Sequence, residues 1–217
     1  MAPHFITFEG LDGSGKSTHL QRAAEWLTGQ GIAHRVTQEP GGTELGEALR
    51  GVFLDPRWGS VDGIVETLMI FASRRQHLLE VIEPSLAEGR HVLCDRFTDS
   101  TIAYQGYGRG VPLSVLEHLD RLATACHVPD RTLLFDLPAE TARNRGDSPT
   151  RRSRPGGVDR LDTEELEFYR RVREGYLELA RCQPGRFRII RSTGSPSETE
   201  RQVREVLQEL FAKEPAR

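Results

Sequence analysis

The feature that most constrains this chain is a glycine-rich segment close to its start. Residues 10–17 read G-L-D-G-S-G-K-S and fit the pattern G-x-x-x-x-G-K-[ST] in full. A buried-strand pattern at residues 5–8 precedes the segment, and a helical pattern with Leu20, Ala23 and Leu27 on one face follows it. Glycines allow successive backbone N–H groups to turn inward, and a helix N-terminus adds partial positive charge. The combination predicts a strand–loop–helix unit that binds the phosphates of a nucleotide.

Two side chains of this loop carry the polar chemistry of such a unit. Lys16 can reach the outer phosphates, and the hydroxyl of Ser17 can ligate Mg²⁺. A guanine-specific switch would need an N-K-x-D segment, which the sequence lacks. A mechanical ATPase would be a larger chain. The loop and its context therefore favour phosphoryl transfer to a small acceptor.

Length and composition indicate one soluble globular domain. The 217 residues suffice for one substantial domain with a mobile insertion and are too few for two. A net charge of −3 gives no reason to expect a nucleic-acid partner. The 3 cysteines lack metal-ligand spacing, which favours a reducing compartment. Because the chain shows neither a signal-peptide pattern nor a long apolar run, we expect a cytoplasmic protein that does not span a membrane.

Short apolar runs alternate with longer amphipathic ones along the chain. Strand patterns fall at residues 5–8, 33–38, 91–95, 132–137 and 186–191. Helical patterns fall at residues 16–27, 44–54, 61–87 and 198–211. Strands that alternate with helices predict right-handed crossovers and a parallel sheet covered on both faces.

The segment at residues 143–160 breaks this alternation. It is rich in arginine, with glycine and proline but almost no apolar residue, so it can contribute little to a core. One interpretation is a solvated loop or linker. The other is a mobile lid whose guanidinium groups close over a polyanion, because arginine presents a planar fork suited to phosphate oxygens.

Several charged groups follow the predicted strands or face their ends. Asp12 lies in the glycine-rich loop, E-P-G-G-T at residues 39–43 follows the second strand, and Asp95 and Arg96 follow the third. Arg74 lies on the helix between the last two. Open α/β folds bind ligands at the carboxyl ends of their strands. Together these groups predict a cleft that holds an anion beside a polar ring.

Longer motifs extend this pattern over nearly the whole chain. They are F-E-G-L-D-G-S-G-K-S-T at 8–18, E-P-G-G-T at 39–43, F-A-S-R-R-Q-H at 71–77, D-R-F-T-D-S-T-I-A-Y-Q-G-Y-G-R-G at 95–110, and D-R-L-D followed by L-E-F-Y-R-R-V-R-E-G-Y-L-E-L-A. On these motifs the chain resembles the thymidylate kinases. The resemblance implies an α/β P-loop NTPase fold: about five parallel strands flanked by helices on both faces, in one domain over residues 1–217 with a mobile lid at about 143–160.

The activity implied by the resemblance is transfer of the ATP γ-phosphoryl group to dTMP. The products would be dTDP and ADP, in dTTP biosynthesis, with Mg²⁺ as cofactor. The resemblance also implies a homodimer formed through the long helix at residues 61–87. Apolar residues of that helix, such as Leu68 and Met69, could equally be satisfied by the protein's own core.

Roles of individual residues follow from the same resemblance. Arg96 and Arg50 resemble the arginines that hold the acceptor phosphate, and Asp95 resembles the carboxylate near Mg²⁺ and the phosphates. Asp12 resembles the residue that bonds the sugar 3′-hydroxyl. Phe71 resembles the ring that stacks on thymine.

A second group would read the base and the sugar. Arg74 resembles the side chain that bonds O4 of thymine. Tyr104, with Ser100, Thr101 and Gln105, resembles the wall that reads the base and crowds a 2′-hydroxyl.

The full set of implied site residues is larger. The catalytic set is Lys16, Asp95, Arg96, Arg151, Arg152 and Arg154. The ATP-binding set is Gly10, Leu11, Asp12, Gly13, Ser14, Gly15, Lys16, Ser17, Thr18 and Arg143. The dTMP-binding set is Asp12, Glu39, Pro40, Arg50, Phe71, Arg74, Arg96, Ser100, Thr101, Tyr104 and Gln105. The implied metal ligands are Ser17 and Asp95.

Two positions depart from the common pattern of the resemblance. Many relatives separate the stacking phenylalanine from the base-reading arginine by four residues, whereas Phe71 lies three before Arg74 and four before Arg75. The spacing to the D-R-F motif favours Arg74, and Arg75 stays an alternative. Gly13 stands where some thymidylate kinases carry an arginine, so the missing charge is expected from the lid, as in the bacterial type.

Alternatives to this reading come from two other classes. One is another nucleoside monophosphate kinase, and the other is a regulatory module that senses ATP without turnover. The lid and the acceptor cleft argue against a sensor, which needs neither. No histidine forms a convincing pair with a carboxylate in the sequence, so we expect His77, His91 and His118 to be packing or surface residues.

Overall fold

A computed structural model describes residues 2–146 and 160–212 of the chain. Within them, five strands form one sheet in the order β2-β3-β1-β4-β5, and every neighbouring pair is parallel. The strands are β1 (Phe5–Gly10), β2 (His34–Gln38), β3 (His91–Asp95), β4 (Arg131–Asp136) and β5 (Phe187–Arg191). The prediction of about five parallel strands is confirmed.

Helices connect the strands and cover both faces of the sheet. They are α1 (Lys16–Gly29), α2 (Glu44–Leu54), α3 (Gly63–His77), α4 (Glu83–Ala87), α5 (Thr98–Thr101), α6 (Leu113–Thr124), α7 (Ala139–Gly146), α8 (Leu166–Cys182) and α9 (Pro196–Phe211). Short 3₁₀ turns lie at Pro56–Trp58 and Arg160–Thr163, and π-helical segments at Leu78–Ile82 and Ile102–Gly108. No helix among the described residues has the length and apolar character needed to cross a bilayer.

The central strand β1 divides the core by its alternating side chains. Ile6 and Phe8 point to one face, where they pack with Leu20 and Leu27 of α1 and with Val203 of α9. Successive side chains of a strand point to opposite faces, so Phe5, Thr7 and Glu9 face the other side. The polar residues Thr7 and Glu9 therefore lie inside the buried run of β1, on the face that leads to the cleft described below.

The register of the sheet brings the predicted polar strand ends together. Phe8 pairs with Asp95 across β1 and β3, and Gln38 pairs with Asp95 across β2 and β3. The N–H of Glu39 donates to the carbonyl of Asp95 at 2.9 Å. The glycine-rich loop, the E-P-G-G-T turn and the D-R-F motif therefore meet at one edge of the sheet.

The structure differs from the predicted elements in the long helix and in four helices that were not predicted. The helix predicted over residues 61–87 is continuous but widens into a π-helical segment at Leu78–Ile82, just before Pro84, which has no N–H to donate. The helices α5 to α8 were not predicted. α8 buries Phe168, Tyr169, Val172 and Tyr176 at i, i+3 and i+4 spacing, so its apolar periodicity was a usable signal that the sequence analysis missed.

Candidate active site

The glycine-rich loop runs from β1 into α1 with backbone angles that glycine adopts freely. Gly13 has φ 81° and Gly15, the residue before α1, has φ 90°. A Cβ on Gly10 would lie 2.6 Å from the carbonyl oxygen of Phe135 on β4. The loop thus depends on glycine for both its turn and its fit against the sheet. Leu11 anchors it by packing into the core.

Two side chains of the loop pair with the acidic residues beside it. Lys16 is buried, and its Nζ donates to Asp12 Oδ1 at 3.1 Å. Ser17 is exposed at the end of the loop, and its hydroxyl donates to Asp95 Oδ2 at 2.5 Å. Thr18 is exposed next to Ser17. The loop therefore presents a cation and a hydroxyl at the edge where β1 and β3 end.

Asp95 fits a divalent cation at that edge. Its Oδ1 is buried and accepts no hydrogen bond from any described residue, so one carboxylate oxygen lacks a donor beside the Ser17 hydroxyl. Hard cations such as Mg²⁺ prefer oxygen ligands of this kind and usually keep several waters. No group of three or more histidine, cysteine or carboxylate side chains among the described residues could form a closed protein cage. Ser17 and Asp95 would then hold a Mg²⁺ ion together with the phosphates of a nucleotide.

Arg96 joins the loop to the cleft beyond it. Its Nη2 donates to Asp12 Oδ1 at 2.9 Å and to the Tyr104 hydroxyl at 3.2 Å. Its Nη1 donates to the hydroxyls of Ser100 at 3.0 Å and Tyr176 at 3.1 Å. The guanidinium also lies over the Tyr104 ring, 4.9 Å from its centroid. A planar fork held in this way is suited to a phosphate at the boundary between loop and cleft.

Glu9 of β1 accepts hydrogen bonds from residues that surround Arg96. Its Oε2 accepts from the hydroxyls of Ser100 at 2.5 Å and Tyr176 at 3.0 Å, and its Oε1 accepts from the N–H of Phe97 at 2.7 Å. Burial, with a smaller contribution from Asp99, raises the pKa of Glu9 to about 7. Sequence reasoning missed Glu9, although an acidic residue inside an apolar strand was a usable signal.

Glu39 and Arg74 form a second buried group on the other side of the cleft. Arg74 Nε donates to Glu39 Oε2 at 2.7 Å, and its Nη2 donates to the Thr101 hydroxyl at 2.9 Å. The guanidinium lies between the rings of Phe71 and Phe97, 4.8 and 5.0 Å from their centroids. Burial acts to raise the pKa of Glu39, but Arg74 and a neighbouring imidazole together hold it below its ordinary value.

That imidazole belongs to His77, which makes contacts that the sequence did not reveal. His77 is completely buried, its Nδ1 lies 2.8 Å from Glu39 Oε1, and its Nε2 lies 2.6 Å from the Thr37 hydroxyl. The burial of His77 agrees with the expectation that it is a packing residue, whereas its pairing with a carboxylate was not predicted. The pair joins residues 38 positions apart, so their spacing in the sequence does not reveal it.

A cleft lies between these two groups and spans about 660 Å³, including the space at its mouth that is open to solvent. Ten of the eleven residues assigned to the acceptor line it: Asp12, Glu39, Pro40, Arg50, Arg74, Arg96, Ser100, Thr101, Tyr104 and Gln105. The cleft is also lined by five apolar residues that sequence reasoning missed: Phe53, Leu54, Ile70, Phe97 and Leu161. Arg50 Nη1 donates to the Pro40 carbonyl at 2.8 Å.

Phe71 is the exception, and the structure contradicts its assignment as a stacking ring. Its side chain packs into a core cluster with Val111, Leu116 and Ala123, because the i+3 spacing to Arg74 places it beneath the guanidinium rather than on the cleft. Ile70, four residues before Arg74, lines the cleft instead. Counting back four positions from Arg74 was the signal that could have found it.

Of the two arginines that the sequence offers for contact with the base, only Arg74 lines the cleft. Arg74 lines the cleft and is 1% exposed. Arg75 points to the other side of α3, where its Nη1 donates to the carbonyl of Ala123 at 3.3 Å. Arg74 is therefore the arginine that a ligand in the cleft would meet.

The arginine-rich segment lies mostly outside the described residues. Arg143 is exposed on α7 at the start of the segment, and Arg160 is buried where the described chain resumes. Arg151, Arg152 and Arg154 fall in the residues that the structure does not describe. Their catalytic assignment stays a prediction from the sequence.

A family model described as thymidylate kinase matches residues 8–203. The chain is 45% identical over 208 residues to the thymidylate kinase of Oleidesulfovibrio alaskensis, covering 95% of this chain and 98% of the relative. It is 43% identical to the thymidylate kinase of Methylobacillus flagellatus, covering 98% and 100%. The solved structure of thymidylate kinase from Ehrlichia chaffeensis superimposes with a TM-score of 0.75 at 34% identity, covering 96% and 99%.

These matches span the loop, the cleft and the helices that frame them. Each covers most of both chains, so the likeness concerns the whole fold rather than the phosphate-binding motif alone. The chain belongs to the thymidylate kinase family.

Proposed function

We propose that this chain transfers the γ-phosphoryl group of ATP to dTMP, giving dTDP and ADP, as a step in dTTP biosynthesis. An oxygen of the dTMP phosphate attacks the γ-phosphorus, a new P–O bond forms, and the bond to the ADP oxygen breaks. The observation that carries the proposal is the position of Arg96, which bonds both Asp12 of the phosphate-binding loop and Tyr104 of the cleft. Donor and acceptor phosphates would meet at this guanidinium.

The chain's own residues would position two nucleotides and neutralise negative charge. Phosphoryl transfer needs little covalent chemistry from the protein, and the acceptor phosphate is already an anionic nucleophile. Lys16 would neutralise the outer phosphates of ATP, and Arg96 with Arg50 would hold the acceptor phosphate. No strong general base is required at this site. Lid arginines would supply the remaining positive charge.

The base would be read by the buried end of the cleft. Arg74 carries a guanidinium Nη1 that is buried and donates to no described residue, so a carbonyl oxygen of the base can accept from it. Ile70 would contact the ring face in place of a phenylalanine, and Tyr104 would crowd the sugar. This arrangement favours a pyrimidine deoxynucleotide with an oxygen at position 4.

Mg²⁺ would serve the reaction by neutralising charge on the phosphates of ATP. Ser17 and Asp95 are the described residues that offer it oxygen ligands. We also propose a cytoplasmic location and one domain that carries its lid at about residues 143–160. A homodimer would form through α3, which exposes Ile64, Val65 and Leu68 on one face.

A coupled assay of ADP production across acceptors tests the activity. With ATP and Mg²⁺, we expect dTMP to give the highest kcat/KM, dUMP a lower one, and dCMP or AMP very little. A preference for AMP or a cytidine nucleotide would show a different monophosphate kinase. Absence of product with every monophosphate, in a protein that binds ATP, would show a nucleotide sensor instead.

A further inference from the structure

Glu66 is a fully buried carboxylate that does not itself line the cleft. It lies on α3, four residues before Ile70 and eight before Arg74, so the three side chains share one face of the helix. Its Oε1 forms ion pairs with Arg109 Nη2 at 3.1 Å and with Arg160 Nη1 at 2.6 Å. Both partners donate only, so the carboxylate at this position acts only as an acceptor.

The remaining oxygen of Glu66 determines how the amide of Gln105 is turned. Glu66 Oε2 accepts from Gln105 Nε2 at 2.9 Å and, over a longer distance of 3.3 Å, from Arg109 Nε. A carboxylate that only accepts must face the amide nitrogen, and the amide oxygen then points the opposite way. No described residue donates to Gln105 Oε1, and the side chain lines the cleft. Glu66 therefore presents Gln105 to the cleft as a hydrogen-bond acceptor.

Arg74 supplies a donor to the same cleft. Its guanidinium cannot accept, and its Nη1 is buried without an acceptor among the described residues. A ring with a carbonyl at position 4 and an N–H at position 3 offers an acceptor and a donor, which complement Arg74 and Gln105. A ring with an amino group at position 4 offers the reverse order and would leave buried groups unpaired.

We propose that Glu66 is a positioning residue that makes the cleft selective for 4-oxo over 4-amino pyrimidines by fixing the orientation of the Gln105 amide. The inference rests on the proposed function, because the base must enter this cleft. Glu66 itself touches no substrate. Its effect is on selectivity, and it acts through Gln105.

The substitution Glu66→Gln tests the proposal. Arg109 Nη2 and Arg160 Nη1 would pair with the new amide oxygen, so the new NH₂ group would face Gln105 and turn that amide round, with loss of the longer hydrogen bond from Arg109 Nε. The ratio of kcat/KM for dTMP to that for dCMP should fall about 10- to 100-fold, the effect of leaving one buried hydrogen-bonding group unpaired. The ratio for dTMP to dUMP should not change, because both rings carry the 4-oxo group.

A matched control separates selectivity from stability. Arg109→Met removes one ion pair at Glu66 Oε1 and the 3.3 Å hydrogen bond from Arg109 Nε to Oε2, and it leaves the Glu66 carboxylate facing the amide. It should lower the melting temperature without changing the dTMP-to-dCMP ratio. An unchanged ratio in Glu66→Gln, or an equal fall in both variants, would overturn the proposal.

Two further measurements keep the test decisive. Should Glu66→Gln fail to fold, Gln105→Met removes the acceptor directly and must lower the dTMP-to-dCMP ratio; a wild-type ratio in that variant would also overturn the proposal. Failure of the proposed function has a different signature. In that case the wild-type protein itself would prefer AMP or a cytidine nucleotide to dTMP, or would phosphorylate no monophosphate.

Discussion

Arg96 is held in an uncommon backbone conformation at the centre of the site. Its φ is 72°, in the left-handed region that costs a residue other than glycine about 1–3 kcal/mol. Hydrogen bonds on both sides keep it there: its N–H donates to the Phe8 carbonyl at 3.0 Å, and the next N–H donates to Glu9 at 2.7 Å. The surrounding sheet thus maintains a strained turn that aims the guanidinium between loop and cleft.

Separate substitutions of Arg96 and Lys16 should affect different substrates. Arg96→Ala should raise KM for dTMP at least about 100-fold, because truncating one partner of a buried charge pair costs about 2–5 kcal/mol. Lys16→Ala should chiefly impair ATP binding and turnover. Steady-state kinetics with each substrate varied would measure both effects, with Arg181→Ala, at an exposed position on α8, as control. An unchanged KM for dTMP in Arg96→Ala would contradict the acceptor assignment.

The raised pKa of Glu9 predicts a specific pH dependence of stability. Its pKa in the folded protein, about 7, lies above the ordinary value of 4.5. Its contribution to stability is therefore greatest below pH 4.5 and is lost as pH rises towards 7, where the buried carboxyl ionises. The other titratable and charged groups that face Glu9 are not altered by a substitution of Glu9 itself. They are Cys94, Asp99, Arg96 and Tyr176.

Glu9→Gln removes this titration and so isolates it. The free energy of unfolding of Glu9→Gln relative to wild type should increase by about 3 kcal/mol between pH 4.5 and pH 7 and stay constant above. Urea denaturation of both proteins at pH 5, 6, 7 and 8 would measure the difference. Parallel stability curves across that range would mean that Glu9 titrates near its ordinary pKa.

At the scale of elements, one of the two π-helical segments among the described residues lies at the cleft. Ile102–Gly108 follows the D-R-F motif and carries Tyr104 and Gln105, both of which line the cleft. A π-bulge inserts one extra residue into a helical turn and changes which side chains share a face. The side chains of this segment that line the cleft, Tyr104 and Gln105, are therefore placed by a helical turn wider than that of the preceding α5.

The closing helix α9 has a capping box that a simple substitution can test. The Ser195 hydroxyl accepts from the N–H of Glu198 at 3.3 Å, and the Glu198 carboxylate accepts from the N–H of Ser195 at 2.7 Å. Ser195→Ala should lower the free energy of unfolding by about 1 kcal/mol without changing kcat. Thr193→Ala, at an exposed position in the loop before α9, is the control for thermal and urea denaturation. Equal stability of the two variants would contradict a role for the cap.

At the scale of the whole molecule, the sheet order places donor and acceptor sites side by side. β1 and β3 are neighbours, so the loop after β1 and the D-R-F motif after β3 share one edge. β2 lies beyond β3 and adds the Glu39 turn. Parallel strands direct all these loops to the same end of the fold. One continuous site can therefore bind two nucleotides with their phosphates facing each other.

The proposed homodimer also belongs to this scale. Ile64, Val65 and Leu68 are 38%, 48% and 50% exposed on one face of α3, and α2 packs beside it. Leu68→Glu should convert a dimer to a monomer, because a charge would be buried without a partner. Size-exclusion chromatography with light scattering would measure the mass, with Ile189→Glu on the edge strand β5 as control. A wild-type monomer would refute the proposal.

The sequence predicted the repetitive parts of the fold well and the long-range pairs poorly. All five strands, the first and last helices and ten residues of the acceptor cleft followed from apolar periodicity, motifs and the family resemblance. The helices α5 to α8 were missed, although α8 carries apolar residues at helical spacing. The pairing of His77 with Glu39 was missed for a different reason. Contacts between residues far apart in sequence leave no periodic trace, so local patterns cannot reveal them.

By itself, the sequence determined the phosphate-binding loop, the alternation of strands and helices, and the chemistry gathered at the strand ends, because these depend on local backbone preferences and on spacing along the chain. The tertiary structure decided which side of α3 faces the ligand. It put Ile70 rather than Phe71 on the cleft, placed Glu9 beneath Arg96, and turned the Gln105 amide with Glu66. Those outcomes depend on packing between distant segments, where burial makes each polar group find a partner.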